Sequence, residues 1–234
     1  MNILITGASR GIGAAAYERL KSSGHAVAGH SSRGSDELIA GDLADSSAPR
    51  RIWEAALGRL GGQIDVLVNN AGIYEAVADY ADEAEWHAQW QRTLTINLQA
   101  AADLCRLAIA HFREREGEGR IVNIASRAAF RGDSPQHWHY AASKAAMVAM
   151  TRTIARGYAA EGILCFAVAP GFTVSEMTDD YLQGRGGAQI VADIPLGRVA
   201  TTDEVAETIR WLATEAPPSA TGSVIDVNGA SYVR

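Results

Sequence analysis

Residues 3–13 read Ile-Leu-Ile-Thr-Gly-Ala-Ser-Arg-Gly-Ile-Gly, a short apolar run that continues directly into a glycine-rich turn. The apolar run predicts a buried strand, and residues 11–23 follow it with the pattern of a helix. Glycines at such a junction permit a tight turn and let the backbone approach a pyrophosphate at the helix N-terminus. A glycine-rich turn alone also fits an ordinary strand-to-helix connection. Its position in the first strand–helix unit therefore carries the prediction of a dinucleotide site.

Outward from this stretch, short β-branched runs alternate with longer amphipathic stretches along the whole chain. This alternation predicts βαβ units around a parallel sheet. Some strands, such as residues 65–68, are apolar almost throughout, as expected when helices cover both sheet faces. We therefore predict a doubly wound α/β fold of the Rossmann type, as a single domain over residues 1–234. The predicted strands are 2–6, 25–30, 37–41, 64–69, 119–125, 163–169 and 223–227, and the predicted helices are 11–23, 47–60, 82–115, 138–160 and 202–214.

Composition excludes several classes of partner. The net charge is −6 with both signs interspersed, which argues against nucleic acid or an anionic membrane as the main partner. No apolar run approaches the roughly 20 residues that span a bilayer. Because residues 1–5 lack a cationic segment and lead straight into the glycine turn, we expect no signal peptide and a cytoplasmic protein. Cys105 and Cys165 lie in apolar stretches, so we expect buried, reduced thiols and no metal site.

Lysine is rare in this chain, since Lys21 and Lys144 are its only lysines among 21 basic residues. Lys144 follows Tyr140 by one helical turn, so on a helix the two side chains share a face. A neighbouring cation favours the phenolate, and such a tyrosine can exchange a proton with a carbonyl or alcohol oxygen. The pair indicates an acid–base catalyst, with a core aromatic residue as the alternative for Tyr140.

The end of the second strand bears on the choice of nicotinamide cofactor. NAD-preferring sites usually place a carboxylate there to bind the adenosine ribose. Residues 29–33 read Gly-His-Ser-Ser-Arg, and no acid occurs before Asp36. A 2′-phosphate would meet Arg33, with Ser32 and Arg10 nearby, and the planar fork of arginine suits phosphate. We therefore favour NADP(H) over NAD(H), with a solvated loop arginine as the alternative for Arg33.

Further motifs follow in a characteristic order. They are Asn69-Asn70-Ala71-Gly72 after a strand, Asn97 in the long helix, Ser126 after a strand, and Pro170-Gly171 after the sixth strand. With the glycine turn and the Tyr140/Lys144 pair, they make the chain resemble the short-chain dehydrogenase/reductase family, closest to its compact branch that includes the 3-oxoacyl-carrier-protein reductases. The resemblance covers essentially the whole chain. It implies a seven-stranded parallel sheet, a homotetramer or homodimer, and hydride transfer between a nicotinamide and a ketone or alcohol.

The resemblance also implies roles for individual residues. Tyr140 would protonate the carbonyl oxygen during reduction, while Lys144 would hold the nicotinamide ribose and lower the pKa of Tyr140. Ser126 would hydrogen-bond the substrate oxygen, and Asn97 would hold the water of a proton relay ending at Lys144. Hydride arriving at a carbonyl carbon builds negative charge on the oxygen, so converging donors suit the chemistry. A helix cap remains the alternative for Ser126 and a buried amide for Asn97.

Several segments together supply the predicted cofactor site. Asn69 would line the adenosine side, and Thr173 would cover the nicotinamide end. Asp42 would accept from the adenine amino group, with a cap or turn residue as its alternative. The complete expected set is Gly7, Ser9, Arg10, Gly11, Ile12, Gly13, Ser32, Arg33, Asp42, Leu43, Asn69, Ala71, Gly72, Tyr140, Lys144, Pro170, Gly171 and Thr173.

The family builds its substrate pocket from the loop before the catalytic tyrosine and the segment after Pro170-Gly171. Residues 173–195, rich in Gly, Asp and Gln, have the length of a lid. The expected pocket residues are Ser126, Phe130, His137, Trp138, Phe172, Met177 and Tyr181. Such side chains suit an apolar or aromatic ketone, although ordinary packing is the alternative for each.

Three departures from the family pattern bear on the substrate. Ser126 precedes Tyr140 by fourteen residues where thirteen is usual, which leaves Ser134 as a less favoured substitute. Phe166 stands where the family usually has an asparagine. Carrier-protein reductases tend to have a basic residue at the position of Glu161.

Carrier-protein docking relies on cationic patches, so Glu161 counts against that substrate, although Arg120 and Arg127 could still serve. We therefore favour an NADPH-dependent carbonyl reductase acting on a small molecule. The alternative is a 3-oxoacyl-thioester reductase, and a non-catalytic dinucleotide-binding regulator is a third possibility.

Overall fold

Seven parallel strands form one sheet in the order β3-β2-β1-β4-β5-β6-β7. The computed structural model of the chain describes residues 1–115, 118–173 and 187–234. The strands are β1 Asn2–Ile5, β2 Ala26–Ser31, β3 Leu38–Ala40, β4 Val66–Asn69, β5 Gly119–Ile124, β6 Ile163–Pro170 and β7 Val224–Val227. Ile3 of β1 pairs with Val27 on one side and with Val66 on the other. The winding therefore reverses between β1 and β4, and ligands bind beyond the strand ends at such a switch point.

Helices cover both faces of this sheet. They are α1 Gly11–Ser22, α2 Ala48–Arg59, α3 Glu83–Leu94, α4 Ala100–Glu114, α5 Ala128–Arg131, α6 Trp138–Tyr158, α7 Gly187–Ala192 and α8 Thr202–Thr214. One buried cluster joins the sheet to α2, α4 and α6 through Ile52, Leu104 and Ile154. A second cluster joins the opposite face to α1 and α8 through Leu20 and Ile209. The prediction of a doubly wound α/β fold is confirmed.

The segment predicted as a single helix over residues 82–115 is interrupted. Asp82 caps α3 by accepting from the Glu85 backbone N–H at 2.8 Å. A π-helical turn, Thr95–Gln99, then separates α3 from α4. The hydrophobic period persists through such a turn, so the sequence pattern does not reveal it. The π-turn carries Asn97, which makes the interruption part of the site.

Two further expectations concern burial. Cys105 and Cys165 are buried and unpaired, as predicted, and burial raises the pKa of Cys105 to about 12. Over the described ranges, no helix combines the length and the apolar character needed to cross a membrane.

Candidate active site

The glycine turn has a backbone that other residues would strain. Gly7 and Gly11 have φ values of +70° and +56°, in the left-handed region that side chains disfavour. A Cβ at Gly7 would lie 2.8 Å from Ala71 Cα, and one at Gly13 would lie 2.0 Å from the Gly7 carbonyl oxygen. The turn therefore packs against the end of β4 and against the first turn of α1 without room for a methyl group.

The N-terminus of α1 is uncapped and opens into a cavity. Arg10 is the N-cap residue, but its side chain makes no capping hydrogen bond, and no acid occurs in the first turn. Ser9, Gly11 and Ile12 line the cavity there. Backbone N–H groups at a helix N-terminus attract anions, so this arrangement fits the pyrophosphate of a dinucleotide.

Asn70 binds the glycine turn from the side of β4. The sequence pattern assigned no role to this residue. Its Nδ2 donates to the carbonyl oxygens of Thr6 and Gly7 at 3.0 and 3.1 Å. In return, the Thr6 hydroxyl accepts from the backbone N–H groups of Asn70 and Ala71, both at 3.1 Å. Asn70 lines the cavity. It therefore links the ends of β1 and β4 at the switch point.

Asn69, which was predicted to face the adenosine, lies elsewhere. Its Nδ2 donates to Asn123 Oδ1 at 2.9 Å and lies 3.3 Å from Cys105 Sγ. Asn123 in turn donates to the Thr151 hydroxyl at 2.9 Å. The Asn69 side chain is buried in this polar network and does not line the cavity. Successive residues of an extended chain face opposite ways, so the neighbouring asparagine takes the predicted place.

His30, at the end of β2, bridges the glycine turn and the loop after β3. The Gly7 N–H donates to His30 Nδ1 at 3.4 Å, and His30 Nε2 lies 2.8 Å from the Gly41 carbonyl oxygen. An Nδ1 that accepts carries no proton, so the proton sits on Nε2 and the ring is neutral. Burial lowers the pKa of His30 and favours this neutral form.

A cavity of about 700 Å³ runs from the glycine turn to Tyr140. It brings together most of the predicted cofactor residues, namely Gly7, Ser9, Arg10, Gly11, Ile12, Gly13, Ser32, Asp42, Leu43, Ala71, Gly72, Tyr140, Lys144, Pro170, Gly171 and Thr173. Arg33 is exposed and does not line the cavity. Arg10 is therefore the better placed of the two arginines that were considered for a 2′-phosphate.

Tyr140 and Ser126 face each other in the cavity. A hydrogen bond with the Ser126 side chain lowers the pKa of Tyr140, but burial outweighs it and raises that pKa to about 12. The net shift of the Tyr140 pKa is therefore upward and not the predicted lowering, because desolvation penalises the phenolate more than its surroundings stabilise it. Ser134, the substitute considered for Ser126, pairs instead with His137 Nδ1 at 2.7 Å.

Lys144 is only 4% exposed and lies on the same helix as Tyr140. Its Nζ donates to the Ile124 carbonyl oxygen at 2.8 Å and lies 5.8 Å from the centre of the Tyr140 ring. Burial lowers the pKa of Lys144 to about 8. The ammonium is thus held at the end of β5, beside the Tyr140 ring.

Asn97 clamps the segment after β4 to the π-turn. Its Oδ1 accepts from the Ile73 N–H at 2.8 Å, and its Nδ2 donates to the Ile73 carbonyl oxygen at 3.0 Å. A Cβ at Gly72 would lie 3.3 Å from Asn97 Oδ1 and 3.5 Å from Lys144 Nζ. The two side chains therefore flank one small space, and the glycine between them keeps it open.

The substrate end of the cavity differs from the predicted apolar pocket. Phe172 lines it, but Phe130 stacks on Tyr232 with ring centres 6.0 Å apart. His137 stacks on Tyr74 at 3.9 Å, and Trp138 is 52% exposed. These three predicted residues do not line the cavity, because they pack on neighbouring side chains or face solvent. Met177 and Tyr181 lie outside the described residues.

Polar side chains line this end in their place. They are Tyr74, Arg92, Arg127, Arg131, Asp133 and Ser134. Apart from Ser134, which was considered as a substitute for Ser126, none was predicted as a substrate contact, because a loop of charged residues usually indicates solvation. Only the fold shows that the loop after β4, α3, α5 and the loop after α5 bring these side chains to the cavity wall.

Known proteins resemble this chain over its whole length. A family model described as enoyl-(acyl carrier protein) reductase matches residues 7–230. A 3-oxoacyl-(acyl-carrier-protein) reductase of Synechocystis sp. is 34% identical, over 97% of this chain and 94% of that protein. An acetoacetyl-CoA reductase of Rhizobium meliloti is 33% identical, over 98% of this chain and 97% of that protein. A mutant Serratia marcescens short-chain dehydrogenase/reductase matches with a TM-score of 0.89 at 28% identity, over 99% and 97% of the two chains.

Proposed function

This chain belongs to the short-chain dehydrogenase/reductase family, and we propose that it reduces a ketone with NADPH, using Tyr140 as the proton donor. As a member of that family it is an NAD(P)(H)-dependent oxidoreductase acting on ketones or secondary alcohols. The observation that carries the proposal is the meeting of Ser126, Tyr140 and the uncapped α1 N-terminus on one cavity.

The protonation state of Tyr140 suits the role of proton donor in ketone reduction. With a pKa of about 12, the phenol is neutral at pH 7 and carries the proton that a nascent alkoxide needs. When bound, the nicotinamide cofactor supplies the hydride. Ser126 and Tyr140 then converge as donors on the oxygen where negative charge develops.

Lys144 and Asn97 support this proton donor. The Lys144 ammonium, held by the Ile124 carbonyl oxygen, places a positive charge beside Tyr140. Asn97 fixes Ile73 through two hydrogen bonds and so shapes the wall next to Lys144. We infer that the space between Asn97 and Lys144 holds the water of a proton relay, because both polar groups lie within contact distance of Gly72.

Tyr140→Phe tests the reaction directly. We expect kcat for ketone reduction to fall by about 1000-fold or more, because general acid catalysis contributes 10²–10⁴-fold and the phenol also positions the substrate. The dissociation constant for NADPH should be unchanged. Tyr158→Phe is the matched control, since Tyr158 ends the same helix and packs against Arg113 outside the cavity. Equal turnover by Tyr140→Phe and Tyr158→Phe would refute the assignment of Tyr140 as the proton donor.

The preference for NADPH has a separate test. No carboxylate occurs between the end of β2 and Asp36, and Arg10 lies on the cavity wall where the adenosine end of the cofactor would bind. Arg10→Ala should weaken NADPH binding about tenfold while leaving NADH binding nearly unchanged, as expected for one lost phosphate contact. Arg33→Ala should have the smaller effect, because Arg33 lies outside the cavity. Equal losses for both cofactors would contradict a phosphate role for Arg10.

A second candidate is the reduction of 3-oxoacyl thioesters, which the names of the two relatives favour. The positive charge that would dock a carrier protein is weak on this chain. Glu161 accepts from Arg113 at 2.6 and 2.8 Å, so the two charges offset each other. Arg120 donates to carbonyl oxygens at the end of α8, and Arg127 lines the cavity. Turnover of acetoacetyl-CoA with no turnover of simple ketones would establish this candidate.

We also propose that copies of the chain associate, as the family resemblance implies. Trp86 lies 5.4 Å from Trp138 between ring centres, and Trp138 is 52% exposed. Exposed aromatic groups of this size favour a covered face. Light scattering coupled to gel filtration would distinguish a monomer from a dimer or tetramer.

A further inference from the structure

We propose that the ketone substrate carries a carboxylate and that Arg127 binds it. This inference rests on the proposed ketone reduction, and it replaces the apolar substrate expected from the sequence. Arg127 directly follows Ser126, the residue proposed to hold the reacting oxygen. Its charge therefore determines which group the substrate carries beside its ketone.

The backbone holds Arg127 firmly at the substrate end of the cavity. Its N–H donates to the Pro170 carbonyl oxygen at 2.9 Å, which ties the end of β5 to the end of β6. Its guanidinium carbon lies 4.7 Å from the centre of the Phe172 ring. The Arg127 side chain thus packs against the segment that follows Pro170-Gly171, and it lines the cavity.

The Arg127 guanidinium lacks an acceptor. Its Nη1 is buried without a hydrogen-bond partner in the described part of the chain, and no ion pair there includes Arg127. Burying an arginine in this way is costly unless an acceptor arrives, because the side chain stays charged at every accessible pH. Burial and the neighbouring Arg131 lower the pKa of Arg127, and they outweigh the stabilising charges of Asp193 and Asp133.

The other charged groups on this part of the wall already have partners. Arg131 pairs with Asp193 at 3.2 Å. Asp133 accepts from the Tyr74 hydroxyl at 2.9 Å and from the Ser134 N–H at 2.7 Å. Arg92 pairs with Glu75 at 3.1 Å. Among the described arginines at this end of the cavity, Arg127 is therefore the one without an ion-pair partner.

Geometry favours a carboxylate over other anions. The Arg127 guanidinium lies over the Phe172 ring, and its side chain lines the cavity. The fork of arginine matches a carboxylate, which accepts two parallel hydrogen bonds in that plane. A substrate with its ketone at Ser126 and Tyr140 and its carboxylate at Arg127 would be an oxo acid. Reduction adds a hydride to its carbonyl carbon and a proton to its oxygen, and leaves the carboxylate unchanged.

Steady-state kinetics with matched substrate pairs test this inference. The acids are acetoacetate, 4-oxopentanoate and 5-oxohexanoate, which separate ketone and carboxylate by increasing lengths, and each is compared with its uncharged methyl ester. The wild-type protein should prefer at least one acid over its ester. Arg127→Met should lower kcat/KM for that acid by about 100-fold, as expected for a lost bidentate charged hydrogen bond, and change the ester by less than about 3-fold. Arg127→Lys should retain part of the preference.

Arg152→Met is the matched control, because Arg152 is exposed on α6 and lies away from the cavity. It should leave both members of every pair unchanged. Faster turnover of the esters than of all three acids, or an equal loss for acid and ester in Arg127→Met, would overturn the inference while the proposed ketone reduction stands. Weaker NADPH binding in Arg127→Met would also overturn it, by assigning Arg127 to the cofactor.

A binding measurement separates this inference from the proposed reaction. The Tyr140→Phe protein loaded with NADP⁺ is titrated calorimetrically with the three acids, and the double variant with Arg127→Met serves for comparison. Binding to Tyr140→Phe that disappears in the double variant supports the carboxylate site. If the wild-type protein also turns over no ketone, the carboxylate site still stands and only the proposed function fails. Absence of binding to Tyr140→Phe, or equal binding by the two variants, would overturn the carboxylate site.

Discussion

Lys144→Met is expected to stabilise the protein at pH 7 while removing its activity. Burial lowers the pKa of Lys144 from 10.5 to about 8, so the buried charge destabilises the folded state by about 3 kcal/mol at pH 7. The substitution also removes the hydrogen bond from Nζ to the Ile124 carbonyl oxygen. An unpaired buried carbonyl costs about 1–2 kcal/mol, so the net gain is about 1–2 kcal/mol.

The pH dependence of this gain has a defined sign. Because the folded-state pKa lies below the unfolded one, the charge penalty is fully present below pH 8. It fades as pH rises toward 10.5, where lysine in the unfolded chain also loses its proton. The advantage of Lys144→Met should therefore shrink with rising pH. Near the upper end, the variant should become less stable than the wild type, since only the lost hydrogen bond remains.

Urea unfolding followed by tryptophan fluorescence measures the difference, at pH 7 to 10 and at a fixed protomer concentration. Lys21→Met is the matched control, because Lys21 is the only other lysine and its side chain is 40% exposed. Its stability should not rise at pH 7. If Lys144→Met were less stable than the wild type by the same amount at every pH, the buried-charge argument would be refuted.

Two predictions concern the glycine turn. Asn70→Ala should weaken NADPH and NADH binding by a similar factor, about tenfold, because it removes the hydrogen bonds to the carbonyl oxygens of Thr6 and Gly7 and no phosphate contact. Fluorescence titration of both cofactors measures this effect. A selective loss of NADPH binding would contradict the prediction. Protonation of His30 should break its bond from the Gly7 N–H. Because burial lowers the pKa of His30, cofactor affinity should persist at neutral pH and fall only below the usual range of a histidine, whereas His30→Gln should show no such acid limb.

Some features of the fold and the site could be predicted from the amino-acid sequence, and others could not. The seven strands lie within a few residues of their predicted bounds, since apolar period and turn residues are local properties, whereas the helix predicted over 82–115 is divided and the short helices α5 and α7 were not predicted. The motif order also brought Ser126, Tyr140 and Lys144 to one cavity. Their catalytic roles stay predictions. The pattern misassigned Asn69, because a shift of one residue at a strand end reverses the face on which a side chain lies.

Ser126 and Phe172 line the cavity as predicted, but three other residues of the predicted pocket do not, for a different reason. Phe130, His137 and Trp138 have the composition of a ligand-binding wall, but hydrophobicity does not specify which neighbour covers a side chain. In the structure they pack against other aromatic residues or face solvent. Arg127 shows the converse, since the sequence suggested only a docking role for it, and the structure shows its buried Nη1 without a hydrogen-bond partner among the described residues.

By itself, the sequence determined the parallel α/β architecture, the place of the dinucleotide turn and the reaction class, because glycine geometry, apolar period and motif order are properties of the chain alone. Only the tertiary structure decided the charge states and partners within the site. Burial raises the pKa of Tyr140 and lowers that of Lys144, and it leaves Arg127 without an acceptor. Each of these depends on which groups exclude water from a side chain, and those groups come from distant parts of the sequence.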